Sequence, residues 1–439
     1  MSARARVIDC LARQARRFPD LEIGPLDITG LSPRDAALAR AIEHAVAKRW
    51  LTLAAVIDHV LDQDWAALQG DVQAPLLAGA AQLLLFDKLP DHAILNDAVE
   101  WSKASARPKA AGLVNAVLRR IAALRLARVP AHNPAALDEL PLADGRAWKL
   151  AAPVFAGDNV ERLARTTSHP TELIRQWAGR DGLESTRRLA LHDIVDPPLI
   201  VAGLPDDVAA ATPGLTPHEQ PGFHVFAGDH NELSALLGAH PSARVQDPAA
   251  AEPIAATATM NPSTIIDYCA GMGTKTAQLL ALHPRARIIA TDRSPRRLAA
   301  LRAAFAGRDR MEVVEFASIR EHAGRADLLV LDVPCSNSGV LARRVEARYR
   351  LTGEAIERLA GIQRQIVADC LPLLAPDGRI LYATCSIEPE ENERLVEWIC
   401  HWHPYRTRLA AARRPRGAPG EPASGYRDGG YYALLEPAS

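Results

Sequence analysis

The chain has 439 residues, enough for roughly two to four domains with buried cores. Hydrophobic residues make up 48% and charged residues 23%, which excludes a disordered or low-complexity chain. With 51 Lys and Arg against 52 Asp and Glu, the net charge of −1 excludes attraction to nucleic acid through bulk charge, so any such binding must use local basic patches.

In chain order, residues 1–125 read as all helical. Apolar residues recur at helical spacing in Val7–Leu11, Ala37–Ala47, Leu51–Leu61, Leu76–Leu85, Asp91–Trp101 and Leu113–Leu124, with breaks at Phe18-Pro19-Asp20, Gly70-Asp71 and Leu89-Pro90-Asp91. Residues 126–165 carry Pro130, Pro134, Pro141 and Pro153 in a mixed polar stretch and read as a linker or poorly packed insertion. Residues 166–245 read as a small α+β connecting domain. Its helices are expected at Leu173–Trp177 and Ser185–Leu191, and its strands at Leu199–Val201 and Phe223–Phe226.

From 246 to 439 strands and helices alternate. Strands are expected at Thr264–Cys269, Arg287–Asp292, Glu312–Glu315, Asp327–Asp332, Arg379–Thr384 and Tyr431–Leu435. Helices are expected at Thr274–His283, Pro295–Phe305, Gly353–Leu374 and Pro389–Trp402. This alternation predicts a mostly parallel, doubly wound sheet. The Arg-, Pro- and Gly-rich stretch Arg413–Gly430 reads as a loop before a last strand.

The six cysteines are Cys10, Cys269, Cys335, Cys370, Cys385 and Cys400. None form a CxxC pair and no zinc spacing is present, so no metal is expected. Few cysteines in a long chain point to reduced thiols and a cytoplasmic location. No apolar run approaches ~18 residues, so no membrane span is expected.

Ligands of doubly wound sheets bind beyond the carboxyl ends of the strands. The first strand here runs into Asp267-Tyr-Cys-Ala-Gly-Met-Gly-Thr-Lys-Thr276, whose Gly271 and Gly273 permit a sharp turn and close approach of a ligand to the main chain. Asp292 ends the second strand, about 20 residues later, where a carboxylate suits a ribose hydroxyl pair. A GxG turn with a later Asp occurs in many α/β proteins and is weak by itself.

Two further strands end in Asp332-Val-Pro-Cys335-Ser-Asn-Ser-Gly339 and Thr384-Cys385-Ser386. A lone Cys at a strand end is more often a small buried hydrophobe than a reactive group. Two cysteines and an Asp on the ligand edge of one sheet fit covalent pyrimidine chemistry better. Carbon 5 of cytosine is a poor nucleophile until a thiolate adds to carbon 6, and that addition is what a thiol supplies. Asp332 suits a hydrogen bond to the base that favours the adduct.

At these residues the chain resembles the Sun-type (NusB-domain) RNA cytosine-5 methyltransferases, and within them the enzymes of small-subunit ribosomal RNA. The cofactor motif Asp-x-Cys-Ala-Ala-Pro-Gly-Gly-Lys-Thr stands here as Asp267–Thr276, with Gly271, Met272 and Thr274 replacing Ala, Pro and Gly. The motifs Asp-Ala-Pro-Cys-Ser and Thr-Cys-Ser stand as Asp332–Ser336 and Thr384–Ser386, followed by Pro389-Glu-Glu-Asn392. Val245-Gln246-Asp247 matches the start of the catalytic domain, and Tyr426–Gly429 with Tyr431–Ala433 its closing strand. Leu76–Gly79, Leu89–Ala93 and Val114–Arg120 match the helical RNA-binding half, so the resemblance spans nearly the whole chain.

The resemblance implies an all-α NusB-like domain over 1–125 and an α/β Rossmann-like class I methyltransferase domain over 246–439, with the small α+β connecting domain between them. It implies S-adenosylmethionine as methyl donor. Cys385 would be the nucleophile, Cys335 would assist product release, and Asp332 would contact the cytosine near the donor. Cys269, Ala270, Gly271, Met272, Gly273, Thr274 and Lys275 would line the donor, Asp292 would hold its ribose, and Arg297 would complete the site. It implies RNA as partner, of the small ribosomal subunit, and a monomer. Arg343, Arg344 and Arg348 would hold the RNA backbone. Arg13, Arg16, Arg17, Arg119 and Arg120 either contact phosphates or form a solvated face.

The chain departs from the family pattern at the third strand. The stretch Glu315-Phe-Ala-Ser318 lacks the adenine-contacting acid, which implies weaker adenine contacts, and Val345-Glu-Ala-Arg-Tyr349 replaces a Pro-Asp-x-Lys-Trp run. Two other readings stand beside the leading one. One is a non-catalytic RNA-binding or ribosome-assembly factor, against which retention of both thiols and Asp332 counts. The other is a cytosine-5 methyltransferase acting on transfer RNA.

Overall fold

Helix caps and buried apolar faces set the first elements. The computed structural model describes residues 2–24, 26–105 and 108–438. The Ser2 hydroxyl caps α1 (Ala3–Ala15), and Ser32, with Pro33 behind it, caps α2 (Pro33–Val60). Helices α3 (Gly70–Leu85), α4 (Asp91–Ala104) and α5 (Ala111–Leu124) follow. Their apolar faces share one core around Val7, Ile42, Leu53, Leu77 and Leu118. The two helices expected at 37–61 are one, kinked at Arg49, which leaves helical geometry at φ −119° and ψ 21°. The amide N–H groups just past the kink are taken up by hydroxyls: Trp50 donates to the Tyr349 Oη at 3.2 Å and Leu51 to the Ser168 Oγ at 2.9 Å.

The stretch expected to be a linker is instead folded. Strands β1 (Arg125–Val129), β2 (Glu139–Pro141) and β3 (Ala147–Leu150) form an antiparallel sheet in the order β1-β3-β2. Leu140, Leu150, Val154 and Phe155 join the helical core. The prolines punctuate short strands rather than a free connection.

The chain divides into two units, and the division cuts through the expected connecting domain. The first unit comprises Met1–Asp196, Leu341–Thr352 and Ala418–Glu421. It therefore includes α6 (Asn159–Thr167), α7 (Thr171–Asp181) and α8 (Leu183–His192). The second comprises Pro197–Val340, Gly353–Gly417 and Pro422–Ser439. It opens with β4 (Leu199–Ala202), α9 (Asp206–Ala211), β5 (Leu215–Pro217), β6 (Phe223–Phe226), α10 (His230–Ala239) and β7 (Arg244–Val245). These strands form a sheet in the order β5-β6-β4-β7.

The rest of the second unit is the doubly wound domain. After α11 (Pro248–Ala255) come β8 (Thr264–Asp267), α12 (Thr274–Leu282), β9 (Arg287–Ala290), α13 (Pro295–Ala304), β10 (Met311–Val313) and β11 (Ala326–Asp332). Then follow α14 (Gly353–Cys370), β12 (Leu374–Thr384), α15 (Glu393–Trp402), β13 (Tyr405–Arg413) and β14 (Gly430–Pro437). The sheet order is β10-β9-β8-β11-β12-β14-β13, with every strand running in one direction except β14, which is antiparallel to both its neighbours. Strand β13 was not anticipated, because it is an edge strand with charged, largely exposed residues rather than an apolar run. The central strands are apolar on both faces, as helices on either side require. The chain order reverses between β8 and β11, which places the ligand crevice at the ends of those strands. Among the described residues, no helix is long and apolar enough to cross a membrane, and no cluster of His, Cys, Asp and Glu suits a metal ion.

Candidate active site

At the end of β8 the chain turns through two left-handed glycines, Gly271 at φ 59° and Gly273 at φ 89°, into α12. A Cβ on Gly273 would lie 2.5 Å from the Phe305 ring, whereas one on Gly271 would meet nothing within 4 Å. Gly273 therefore serves packing, and Gly271 borders open space. Met272 between them is 64% exposed. The buried Asp292 braces the turn: Gly271 N–H donates to its Oδ2 at 3.0 Å and Ser294 N–H to its Oδ1 at 2.8 Å. Arg297, exposed on α13, stands 3.7 Å from the same carboxylate. Ala270 is buried, Cys269 and Lys275 are half-buried, and Thr274 faces solvent.

The acids at the strand ends act on one another. Burial pushes the Asp267 carboxyl up to about 7, the Thr276 hydroxyl at 2.7 Å opposes this, and Asp332 and Asp292 raise it further. Burial, Cys370 and the same three acids hold the Cys269 thiol well above its usual range. Burial opposes charge on Lys275, but its Nζ donates to Asp332 Oδ2 at 2.7 Å and the net effect holds the ammonium charged. That ammonium also lies within electrostatic reach of the Cys385 sulfur.

Strands β11 and β12 deliver the two thiols side by side. Cys335 Sγ and Cys385 Sγ are 2.8 Å apart, both as free thiols. Cys335 is buried and Cys385 only half-buried. The hydrogen bond to Cys385, then burial, holds the Cys335 thiol well above its ordinary range. Cys385 Sγ also donates to Asn337 Oδ1 at 3.3 Å, and Asn337 adopts a left-handed φ of 62° that aims its amide there.

Sequence reading missed the network behind these loops. Ser336 donates from its amide and its hydroxyl to the Glu391 carboxylate, and Gln363 donates to both Glu391 Oε1 and the Pro334 carbonyl at 2.9 Å. The Ser336, Ser338 and Ser386 hydroxyls lie within 3.3 Å of one another, and Ser338 Oγ accepts from Ile387 N–H at 2.9 Å. Asn392 takes the Thr384 hydroxyl at 2.6 Å and donates to the Ser386 carbonyl at 2.9 Å. Burial raises the Glu391 carboxyl above its ordinary range, against the opposing hydrogen bonds from the serine and glutamine donors. The Pro389–Asn392 run was the available sign. Its role lies in contacts to residues 28 and 55 positions away.

One expected RNA contact is corrected. Arg348 is fully buried in the first unit, where its guanidinium donates to the carbonyls of Lys48, Thr167, Asp193 and Leu341 at 2.7–3.3 Å. A guanidinium spent on four carbonyls cannot also hold phosphate. Arg16, Arg17 and Arg120 are paired to Asp71, Glu22 and Asp62.

A doubly wound sheet of this order, with a glycine turn and acid at its ligand edge and a thiol pair on the next two strands, defines a Rossmann-like methyltransferase. The 16S rRNA methyltransferase RsmB/F family matches residues 255–416, and the NusB family matches residues 2–123. The ribosomal RNA small subunit methyltransferase B of Xanthomonas campestris pv. campestris is 30% identical over 93% of this chain and 90% of its own length. The protein of the same name from Erwinia tasmaniensis is 28% identical over 98% and 97%. Among solved structures, PH0851 superposes with a TM-score of 0.72 at 20% identity, covering 98% of each chain. A methyltransferase homolog from Pyrococcus horikoshii superposes with a TM-score of 0.52 at 18% identity, covering 64% of this chain and all of the other. The chain belongs to the RsmB/F family of RNA methyltransferases, with a NusB domain at its N-terminus.

Proposed function

We propose that the protein transfers a methyl group from S-adenosylmethionine to carbon 5 of a cytosine in small-subunit ribosomal RNA, with Cys385 as nucleophile. The 2.8 Å pairing of a buried, protonated Cys335 with a more accessible Cys385 carries this reading. The name shared by the relatives supports the substrate, and a cytoplasmic location fits a ribosomal RNA substrate.

The residues present fit the donor. Its sulfonium and ammonium groups are cationic, and Asp267, Asp292 and Asp332 converge on one edge beside a glycine turn that borders open space. Cys269–Lys275 would hold its methionine and ribose side, with Asp292 and Arg297 beside the ribose. Glu315, paired to Arg302 at 2.7 Å and exposed, is no substitute for the missing adenine-contacting acid. When bound, the donor supplies an electrophilic methyl group.

The chain's own residues do the rest. Cys385 gives its thiol proton to water and adds as thiolate to carbon 6 of a cytosine removed from its stack, and the electron pair moves toward carbon 5. Asp332, held in place by Lys275, accepts from the exocyclic amine of the base and steadies the adduct. After methyl transfer the carbon-5 proton passes to water, the electrons of that C–H bond re-form the ring double bond, and Cys385 departs as thiolate. Cys335, which keeps its proton beside that sulfur, favours the departure.

Methylation of small-subunit RNA with labelled donor tests this. Cys385→Ala is expected to lower turnover by at least about 1,000-fold. Cys335→Ala is expected to accumulate a protein–RNA adduct resistant to denaturing gels. Equal turnover in wild type and both variants excludes the mechanism.

A further inference from the structure

The second unit contains a cleft of about 490 Å³ away from the thiol pair, between α11, the end of β13 and the segment before β14. Its lining includes four arginines, Arg244, Arg413, Arg414 and Arg427, against one carboxylate, Glu252. Glu252 is already spent: Arg413 donates to both its oxygens. Positive charge is therefore in excess, in a chain whose overall charge is −1. Arg244 donates only to the Gln246 amide oxygen and the Ser242 carbonyl among the described residues. Arg427 Nε is buried without a hydrogen-bond partner among them. Burial, then Arg413, makes charge on Arg427 harder to hold, a cost that a bound anion would remove. Phe223, half-buried, lines the same cleft and offers a ring against which a base can stack.

The cleft is wired to the catalytic loops within the same unit. Two residues after Arg427, Gly429 N–H donates to the Gly339 carbonyl at 2.7 Å, and Gly339 N–H donates to the Cys385 carbonyl at 2.9 Å. On the other side, Gln278 on α12 lines the cleft and binds Gln246 at 2.8 Å. A strand of RNA held here would be anchored on the segments that carry the nucleophile and the donor turn.

We propose that this arginine cleft binds the phosphate backbone of the substrate RNA outside the target nucleotide, which rests on the RNA methyltransferase reading above. Phosphate recognition by arginine forks also suits free phosphate or nucleotides, and the test separates these. Binding of a labelled small-subunit RNA fragment is titrated against KCl for the full-length protein and for Arg427→Gln, Arg244→Gln and the double variant. Arg414→Gln, at an exposed position, guards against misfolding. The double variant is expected to bind about tenfold more weakly at moderate salt, with each lost contact reducing the log–log salt slope by about 0.7. KM for RNA should rise in step while kcat at saturating RNA changes less than about twofold. RNA affinity and salt slope equal to wild type in all variants would overturn the inference, as would a loss confined to inorganic phosphate or mononucleotide binding. Wild-type turnover, measured in parallel, keeps the outcomes apart. Active wild type with unaffected variants removes the cleft alone, whereas a wild type that neither binds nor methylates RNA removes both proposals.

Discussion

Glu391 touches no reacting atom in the proposed mechanism, yet it accepts three hydrogen bonds from Ser336 and Gln363 that shape the Cys335 loop. Glu391→Ala would strand those donors in a buried site, at a cost of about 2–4 kcal/mol. A drop in the denaturation midpoint with a parallel fall in kcat is expected, and Glu391→Gln should recover part of both. Asp267 gives a pH signature. Its folded-state value, pushed up to about 7, lies above the ordinary 3.8. Its contribution to stability is thus complete below about pH 4 and is lost as pH rises through 7. Asp267→Asn keeps an acceptor for Thr276 and removes the titration. Its melting temperature relative to wild type should therefore climb between pH 5 and pH 8, and a constant difference would contradict the assignment.

Elements matter here through their ends. The loops after β11 and β12 and the segment before β14 meet at Gly339, where a Cβ would lie 2.7 Å from the Gly429 carbonyl carbon and 2.9 Å from the Cys385 carbonyl oxygen. Backbone at that distance has no rotamer to yield. Gly339→Ala is expected to cost about 1–3 kcal/mol and to displace Cys385, read as lower turnover with cofactor binding retained. By contrast, the kink in α2 is stabilised from outside the helix: Arg49 donates to the Pro141 and Thr166 carbonyls, and two hydroxyls cap the N–H groups beyond it.

At the scale of the molecule, each unit has its own electrostatic character. In the first, burial leads in holding His44 down to about 4 and lowers His132 and, most strongly, His169. Histidines depressed in the folded state contribute stability above about 6.5 that is lost as pH falls. Five of the seven tryptophans, Trp50, Trp65, Trp101, Trp148 and Trp177, belong to this unit. The urea midpoint followed by tryptophan fluorescence should therefore fall between pH 7 and pH 5, and substituting His44 and His132 by Gln should flatten that fall. The segment Leu341–Thr352 belongs to this unit although it follows the Cys335 loop in the chain. Arg348→Met would leave four carbonyls without their shared donor and is expected to cost about 3 kcal/mol or more, with faster proteolysis within 341–352.

Periodicity and local motifs carried the secondary structure far. The helices of the first 125 residues, the alternation after 246 and the glycine turn were all legible, because each depends on neighbours within a few positions. The thiol pair was legible as two motifs, but their 2.8 Å contact required β11 and β12 to be adjacent. Other features were decided by tertiary structure alone. Prolines at 126–165 mark a packed sheet, Arg348 is buried rather than offered to RNA, and Glu391 organises a loop 55 residues away. A side chain's chemistry is written in its residue type, but its partner is chosen by packing between distant segments, which no local spacing encodes.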